Sequence, residues 1–302
     1  MGIRKRSGLQ ERAIGPNIIL FIMSLTFIIP FIYIISISLS DNIMLRTYGY
    51  GLLPRGFTFE AYALIFAYPR RVIDAYLVTI FSSTLGTFLG VLIMAMVAYP
   101  LSRSTFKAKK WVMRFIFFTM LFGGGLIPTF ILISYLGLID SIWVYIWSGL
   151  INAFHIIIFR TFFMGIPDSV IESAKIDGAS EFRIFLQMIL PLSKPALATI
   201  ALFVLLGRWN DWMTTLYFIR DSRLFTLQFL LQSVLRDLEF ARDMARDMVM
   251  VGGVVGGGTL FDPPTESMRF ALVVVTSGPM LVIFPFFQKY FAKGLTVGAV
   301  KG

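Results

Sequence analysis

The residues with the most pointed types and spacing lie between two apolar runs, in the string Ile166-Pro-Asp-Ser-Val-Ile-Glu172-Ser-Ala-Lys-Ile-Asp177-Gly178-Ala179-Ser-Glu-Phe-Arg-Ile-Phe185-Leu-Gln-Met-Ile-Leu190-Pro191-Leu-Ser-Lys-Pro195. What such a string offers is recognition by short amphipathic helices, each with an apolar side to be covered. The string parses as helix, turn, helix. Asp168 after Pro167 is an expected N-cap, Gly178 can take the left-handed conformation that ends a helix, and Ser180 can cap the next one. Pro191 and Pro195 then break the second helix. Val170, Ile171 and Ala174 share one face of the first helix, and Phe182, Phe185, Leu186 and Ile189 share one face of the second. Each apolar face needs a cover, which is either the chain's own bundle and lipid head groups or a partner protein.

Other chemistry is scarce. There is no cysteine, and the one histidine, His155, cannot form a His-rich metal cluster. No paired aspartates, His-Glu-x-x-His helix or serine with a base lies at membrane depth, which argues against an intramembrane enzyme. His155 as a proton relay would need a buried acid in the apolar runs, and none accompanies it; an interhelical hydrogen bond is the expected role. The glycine-rich stretch Gly252 to Gly258 is not followed by Gly-Lys-Ser/Thr and reads as a mobile loop, not as a phosphate cradle.

The elements that must position these residues follow from composition. The 302-residue chain is 57% hydrophobic, 16% aromatic and 15% charged, against about a quarter charged for a soluble protein. Lipid is the expected solvent. Six apolar runs are long enough to cross about 30 Å of hydrocarbon: Asn17 to Leu39, Asp74 to Tyr99, Arg114 to Leu136, Ser141 to Phe159, Leu190 to Trp209 and Met268 to Phe287. They lack the alternation of barrel strands, so the expected fold class is all-α, a polytopic protein with six transmembrane helices. Pro30, Pro128, Pro279 and Pro285 predict kinks. The first run is too long for a cleaved signal peptide and is expected to stay as a span.

The net charge of +10 is sorted by loop. With the N-terminus in the cytoplasm, Arg4, Lys5, Arg6, Arg103, Lys107, Lys109, Lys110, Lys175, Lys289 and Lys293 all fall inside, while the outer loops are close to neutral. This positive-inside bias explains the basic balance without nucleic acid, and puts both termini of a multi-pass protein in the cytoplasm. Membrane lipid is then a partner, and the basic cluster Arg103 to Lys110 an anchor. Three connections are too long for simple turns: 40–71, 161–189 and 211–267. In the last, Leu227, Leu230, Leu231 and Val234 predict a surface helix.

Glu172-Ser-Ala, Asp177-Gly178-Ala179, Phe185 and Leu190-Pro191 resemble the EAA motif of importer permeases in the ABC transporter superfamily, with Ser173 where the motif has alanine. The resemblance implies a type I ABC importer permease fold whose loop 161–189 docks in a groove on an ATPase subunit. It implies roles for Val170, Glu172, Ala174, Asp177, Gly178, Ala179, Phe185 and Pro191 in coupling. On that reading Gly178 permits the bend, Ala174 and Ala179 allow close approach, Glu172 offers a carboxylate to a basic group, and Phe185 anchors the helix in the groove.

The C-terminal strings Pro264-Thr-Glu-Ser-Met-Arg269, Gly278-Pro279, Pro285-Phe-Phe-Gln-Lys-Tyr-Phe291 and Val297-Gly-Ala-Val-Lys-Gly302 resemble carbohydrate-uptake permeases of the maltose-type inner subunit, on the branch serving polysaccharide-derived oligosaccharides. That resemblance implies a homologous second permease, two ATPase subunits that hold ATP and Mg, an extracytoplasmic solute-binding protein, and no cofactor in this chain. The implied substrate is an oligosaccharide; an acidic one, of uronate or alginate type, is compatible with the near-neutral outer face. For the sugar path the aromatic and amide residues Trp143, Asn152, Trp209 and Asn210 are candidates, with Tyr145, Trp147 and Trp212 beside them. The tryptophans near span ends are equally interfacial anchors, and Asn152 is equally an interhelical contact. Tyr48, Tyr50 and the loop from Asp237 to Asp262 are placed to meet the binding protein. The alternative function is a proton-coupled secondary transporter.

Overall fold

The computed structural model describes residues 7–67, 69–250 and 265–299. The Gly252 to Gly258 stretch, Arg4 to Arg6 and the last residues of the C-terminal string lie outside the described residues. In chain order the helices are α1 (Ser7–Ser38), α2 (Asn42–Tyr48), α3 (Glu60–Ile65), α4 (Pro69–Ser102), α5 (Lys109–Leu121), α6 (Leu126–Tyr135), α7 (Val144–Trp147) and α8 (Ala153–Met164). There follow α9 (Asp168–Ile176), α10 (Glu181–Ile184), a π-turn at Phe185–Ile189, α11 (Leu190–Leu192), α12 (Lys194–Trp209), α13 (Met213–Phe218), α14 (Leu227–Met250) and α15 (Thr265–Ala299). An isolated bridge between Ser40 and Phe57 is the nearest approach to a strand among the described residues, so the all-α expectation holds.

Of the six expected spans, α1, α4 and α15 are single helices long and apolar enough to cross a membrane, and α1 runs unbroken through Pro30. The other three are broken. The third turns by 113° between α5 and α6, where Pro128 sits in the first turn of α6. The run Ser141 to Phe159 is not one helix: α7 stops after one turn, an extended stretch follows, and α8 begins at Ala153 and continues beyond the expected end. The fifth is split at Ser193, with 81° between its arms, because Pro191 and Pro195 both withhold a backbone N–H.

Two compact units make up the chain. The first comprises Met1–Pro69 and Ser233–Gly278. In it α1 exposes apolar side chains along its length, including Phe21, Phe27 and Phe31, as a helix made to face lipid does. The connection after α1 is ordered: Ser36 Oγ donates to Gly51 O, Ser40 Oγ to Ser36 O, and Asp41 caps α2 by accepting from Met44 N. Tyr50 is tied down, its hydroxyl donating to Glu266 and its ring edge-on to Phe270, while Tyr48 is exposed. The mixed charges from Arg236 onward continue α14 as helix, and Glu239 pairs with Arg269 at the start of α15.

The second unit comprises Arg70–Gln232 and Pro279–Gly302. Its main core gathers Met94, Ala98 and Leu101 of α4 with Phe159 and Phe163 of α8, Ile184 and Ile189, and Ile200 of α12. A second cluster joins Val78, Ile133, Val144, Tyr145 and Phe218. Here Tyr145 anchors a chain of hydroxyls, bonding Thr215 and Leu224 O at 2.8 Å each, with Thr215 in turn 3.0 Å from Thr226. Along α4, Gly86 and Gly90 stand one turn apart and form a trough. A Cβ on Gly90 would lie 2.8 Å from the carbonyl oxygen of Leu150, in the break between α7 and α8.

One corner has a titrating component. Asp140, at φ 59°, accepts from the backbone N–H of Asp221 at 2.8 Å and of Arg220 at 3.0 Å, and these bonds hold its carboxyl below the usual carboxylate range. Because the folded value is depressed, the stabilisation is present above the unfolded value and is lost as pH falls through the folded one.

Two predictions follow from this packing. Gly90→Ala is expected to lower the thermal stability of the detergent-solubilised chain by about 1–3 kcal/mol through overpacking. Gly207→Ala, in a helix with open space at that point, should leave stability unchanged or raise it by up to about 1 kcal/mol; equal melting temperatures for the two variants would contradict the trough. Asp140→Asn should melt earlier than the parent at pH 7, and the gap should begin to narrow as pH drops below about 4 and go on narrowing as it falls further; a gap that stays constant all the way down would mean that the charge is not the cause.

Candidate functional site

The segment after α8 folds as its sequence suggests, with changes at both ends. Pro167, extended at ψ 135°, takes the N-cap of α9 and provides no side-chain cap, so Asp168 lies inside the first turn and not at the cap as expected. Its carboxylate instead accepts from Arg103 Nη1 at 3.1 Å. At the other end of α9, Gly178 adopts φ +76°. Gly178 N donates to Lys175 O at 3.0 Å and Ala179 N to Ala174 O at 2.9 Å, the double closure of a Schellman motif. Ser180 then caps α10 by accepting from Arg183 N, as expected. The helix continues through a π-turn in which Leu190 N reaches back to Phe185 O. Pro191 has no N–H for the residue four before it and its ring crowds that carbonyl, which the wider turn relieves.

The two helices share their inner face with the unit's own core. Ile171 and Ala174 of α9 are buried there with Ile184, Phe185 and Ile189, while Val170 and Ala179 are half-buried. This overturns two expectations. Phe185 is 3% exposed, its ring 5.6 Å from that of Tyr99, and so cannot anchor in a partner. Ala174 is buried as well, so the close approach it permits is to its own bundle. What faces outward is a different set: Glu172, Asp177, Gly178, Ile176 at 87% exposure and Phe182 at 60%. An isoleucine and a phenylalanine are left bare on either side of the tight turn, an apolar knob with the exposed carboxylates of Glu172 and Asp177 on its α9 side.

Around the loop a polar brace ties it to the end of α4. Arg103 is buried; besides Asp168 it donates to Phe163 O at 3.2 Å and lies 5.2 Å over the ring of Tyr99. Tyr99 donates its hydroxyl to Glu181 Oε2 at 2.9 Å, and Lys175 pairs with the other oxygen at 2.6 Å. The Lys175 ammonium foremost, and the Tyr99 hydroxyl after it, hold the Glu181 carboxyl below its ordinary range. A cleft of about 410 Å³ opens between Tyr99, Arg103, Phe106, Glu181 and Phe182.

The four candidates for a substrate path are not brought together. Trp143 is exposed and edge-on to Phe81, and Asn152 caps α8, accepting from Phe154 N at 2.9 Å and His155 N at 3.2 Å. Trp209 is 3% exposed, packed with Ala75 and Leu227 at the edge of an apolar groove of about 510 Å³. Asn210 donates to Leu206 O and borders a separate hollow of about 350 Å³, with Ser148, Gly149, Arg208 and Trp212. Asn152 thus caps α8 with its side chain, while its backbone N–H donates to Met94 Sδ of α4 at 3.3 Å. His155 Nδ1 is buried without a hydrogen-bond partner among the described residues, against the bond expected of it.

Sequence reasoning passed over Arg208, at the end of the fifth run. Its guanidinium donates to the carbonyls of Tyr145, Ile146 and Gly149, the last at 3.2 Å, where α7 stops and its final carbonyls lose their helical partners. A Cβ on Gly86 would collide with this guanidinium. The available signal was a lone cation closing an apolar run, next to a glycine pair four residues apart on α4.

The second unit thus presents a loop with a buried side and a bare side, set on a bundle of broken helices. Residues 61–297 match the family described as "Binding-protein-dependent transport system inner membrane component". The chain belongs to that family. Among relatives, the polygalacturonan/rhamnogalacturonan transport system permease protein YtcP of Bacillus subtilis (strain 168) is 38% identical over 283 residues, 94% of this chain and 96% of its own. The protein LplC of the same organism is 37% identical over 277 residues, 91% of this chain and 90% of its own. A chain from the crystal structure of a bacterial ABC transporter involved in the import of the acidic polysaccharide alginate superposes with a TM-score of 0.77 at 29% identity, covering 94% of this chain and 98% of that one. As an inner-membrane component of a binding-protein-dependent system, the chain is an ABC permease subunit and not an enzyme, and works with an ATPase and a binding protein. The secondary-transporter alternative finds no support.

Arg208→Ala should leave three carbonyls without donors and destabilise the permease by on the order of 2–3 kcal/mol, read as earlier thermal unfolding in detergent. Arg208→Lys, with a point charge in place of a fork, should recover only part of the loss. Unchanged unfolding in Arg208→Ala would remove the guanidinium from its bracing role.

Proposed function

We propose that this chain is one of two homologous permease subunits of an ABC importer for acidic oligosaccharides, paired with two ATPase subunits that hold ATP and Mg and fed by a solute-binding protein from outside. It acts as a single transmembrane permease domain with both termini in the cytoplasm, the orientation that the basic residues favour. The relatives named for polygalacturonan, rhamnogalacturonan and alginate all handle uronate-bearing polymers, which supports a carboxylate-bearing substrate. Trp143, Asn152 and Asn210 are the path candidates that are exposed, whereas Trp209 is buried.

The observation that carries the coupling role is the two-sided loop. Its inner face is satisfied by this chain, and its outer face, with Ile176 and Phe182 bare beside Glu172 and Asp177, is not. An apolar knob with flanking acids fits a groove lined by apolar and basic groups. Gly178 sets the turn that presents the knob, and Pro191 sets the break at which the loop passes into α12. ATP-driven closure of the ATPase pair would then move the loops together and rock the permease halves.

The test is purification of the tagged chain in mild detergent, followed by identification of what accompanies it. A homologous permease and an ATPase are expected. Ile176→Glu, which buries no charge in this chain, should cut ATPase recovery at least tenfold while leaving the second permease bound. Gly178→Val should do the same by straining the turn. Full ATPase recovery with both variants would remove the loop from docking.

A further inference from the structure

The brace at the end of α4 suggests a task beyond docking. Arg103 directly follows α4 and lies over the ring of Tyr99 in its last turn, so the two act from one side of the end of α4. Between them they hold both ends of the loop: Arg103 takes Asp168 in the first turn of α9, and Tyr99 takes Glu181 in the first turn of α10. The bare tip around Ile176 lies between these two fixed points. Among the described residues no hydrogen bond or ion pair ties the tip itself to α4. A push on the tip therefore reaches α4 through two charge-assisted bonds, supported by the guanidinium stacked on Tyr99 and by Tyr99 packed on Phe185.

We infer that Arg103 and Tyr99 are transmission residues, which deliver displacement of the docking loop to α4 and so to the bundle. The inference rests on the docking reading given above. Arg103 suits the role because its guanidinium is planar and buried, with Phe163 O and the Tyr99 ring fixing its plane. Tyr99 reaches Glu181 only with its hydroxyl, so that bond can be removed without removing the ring. Without the brace, loop and α4 still touch through apolar packing, which can slide. The two hydrogen-bonded anchors cannot slide without breaking.

The chain has no cysteine, so a single nitroxide can be placed at will. The experiment uses the full complex that copurifies with the chain, labelled at Phe88→Cys on the exposed side of α4, with the spectrum recorded before and after ATP and Mg. The parent should show an ATP-dependent change. The double variant Tyr99→Phe with Asp168→Ala, which leaves the bare tip untouched, should still bring down the ATPase and hydrolyse ATP, but its spectral change should shrink by roughly threefold to thirtyfold. Asp168→Glu, which keeps a carboxylate in reach of Arg103, should retain the response. A double variant that responds like the parent overturns the inference, as does a parent whose α4 label ignores ATP. If the double variant loses the ATPase while the parent keeps it, these residues serve docking and not transmission. If the parent brings down no ATPase, it is the docking reading that fails.

Discussion

Lipid offers no hydrogen bonds, so every place where a helix stops inside a bundle must find partners in the protein itself. This chain interrupts three of its spans, and the cost falls on the backbone groups at each break. The gap between α7 and α8 shows how it is met. Asn152 accepts from the first amides of α8, Arg208 donates to the last carbonyls of α7, Gly86 clears the space the guanidinium fills, and Gly90 clears that of the Leu150 carbonyl. Tyr145 adds a second tie through Thr215 and Leu224. The bundle's shape at that end depends on these few polar side chains more than on apolar packing, which is adaptable where a carbonyl is not.

At the other end of the same unit the problem is reversed. The loop carrying α9 and α10 lies where water can satisfy the backbone, and its folding depends on burying one side only. Ile171, Ala174, Ile184, Phe185 and Ile189 complete the core begun by Phe159 and Phe163. That leaves the tip rigid without being covered. A preformed tip binds with less ordering cost than a flexible one, which suits the proposed docking.

Much of this was legible because its signals are local. Apolar runs, Gly178 at the turn and Ser180 at the cap each depend on a few adjacent residues. What helical periodicity could not give was the inward direction of Phe185, because the π-turn before Pro191 adds a residue and alters which side chains share a face. Asp168 was misread as a cap because its actual partner, Arg103, is distant in sequence. Arg208 was passed over for a related reason: its partners are backbone carbonyls, which carry no residue-type signal, and the lone cation closing an apolar run was the one sign of it. Trp209 and Asn210, neighbours in the chain, ended in different hollows because a helix end directs successive side chains apart.

The dependence of the α7 to α8 gap on Arg208 also bears on how the protein is made. The chain emerges from the ribosome N-terminus first, and α1, long and apolar enough to cross the membrane as one unbroken helix, can enter the bilayer at once. The carbonyls of Tyr145, Ile146 and Gly149 cannot be left in hydrocarbon until the guanidinium that receives them has been synthesised, more than fifty residues later. Insertion is therefore not a simple succession of hairpins: the middle of the polypeptide waits at the water boundary, or inside the insertion machinery, for its own downstream sequence to arrive.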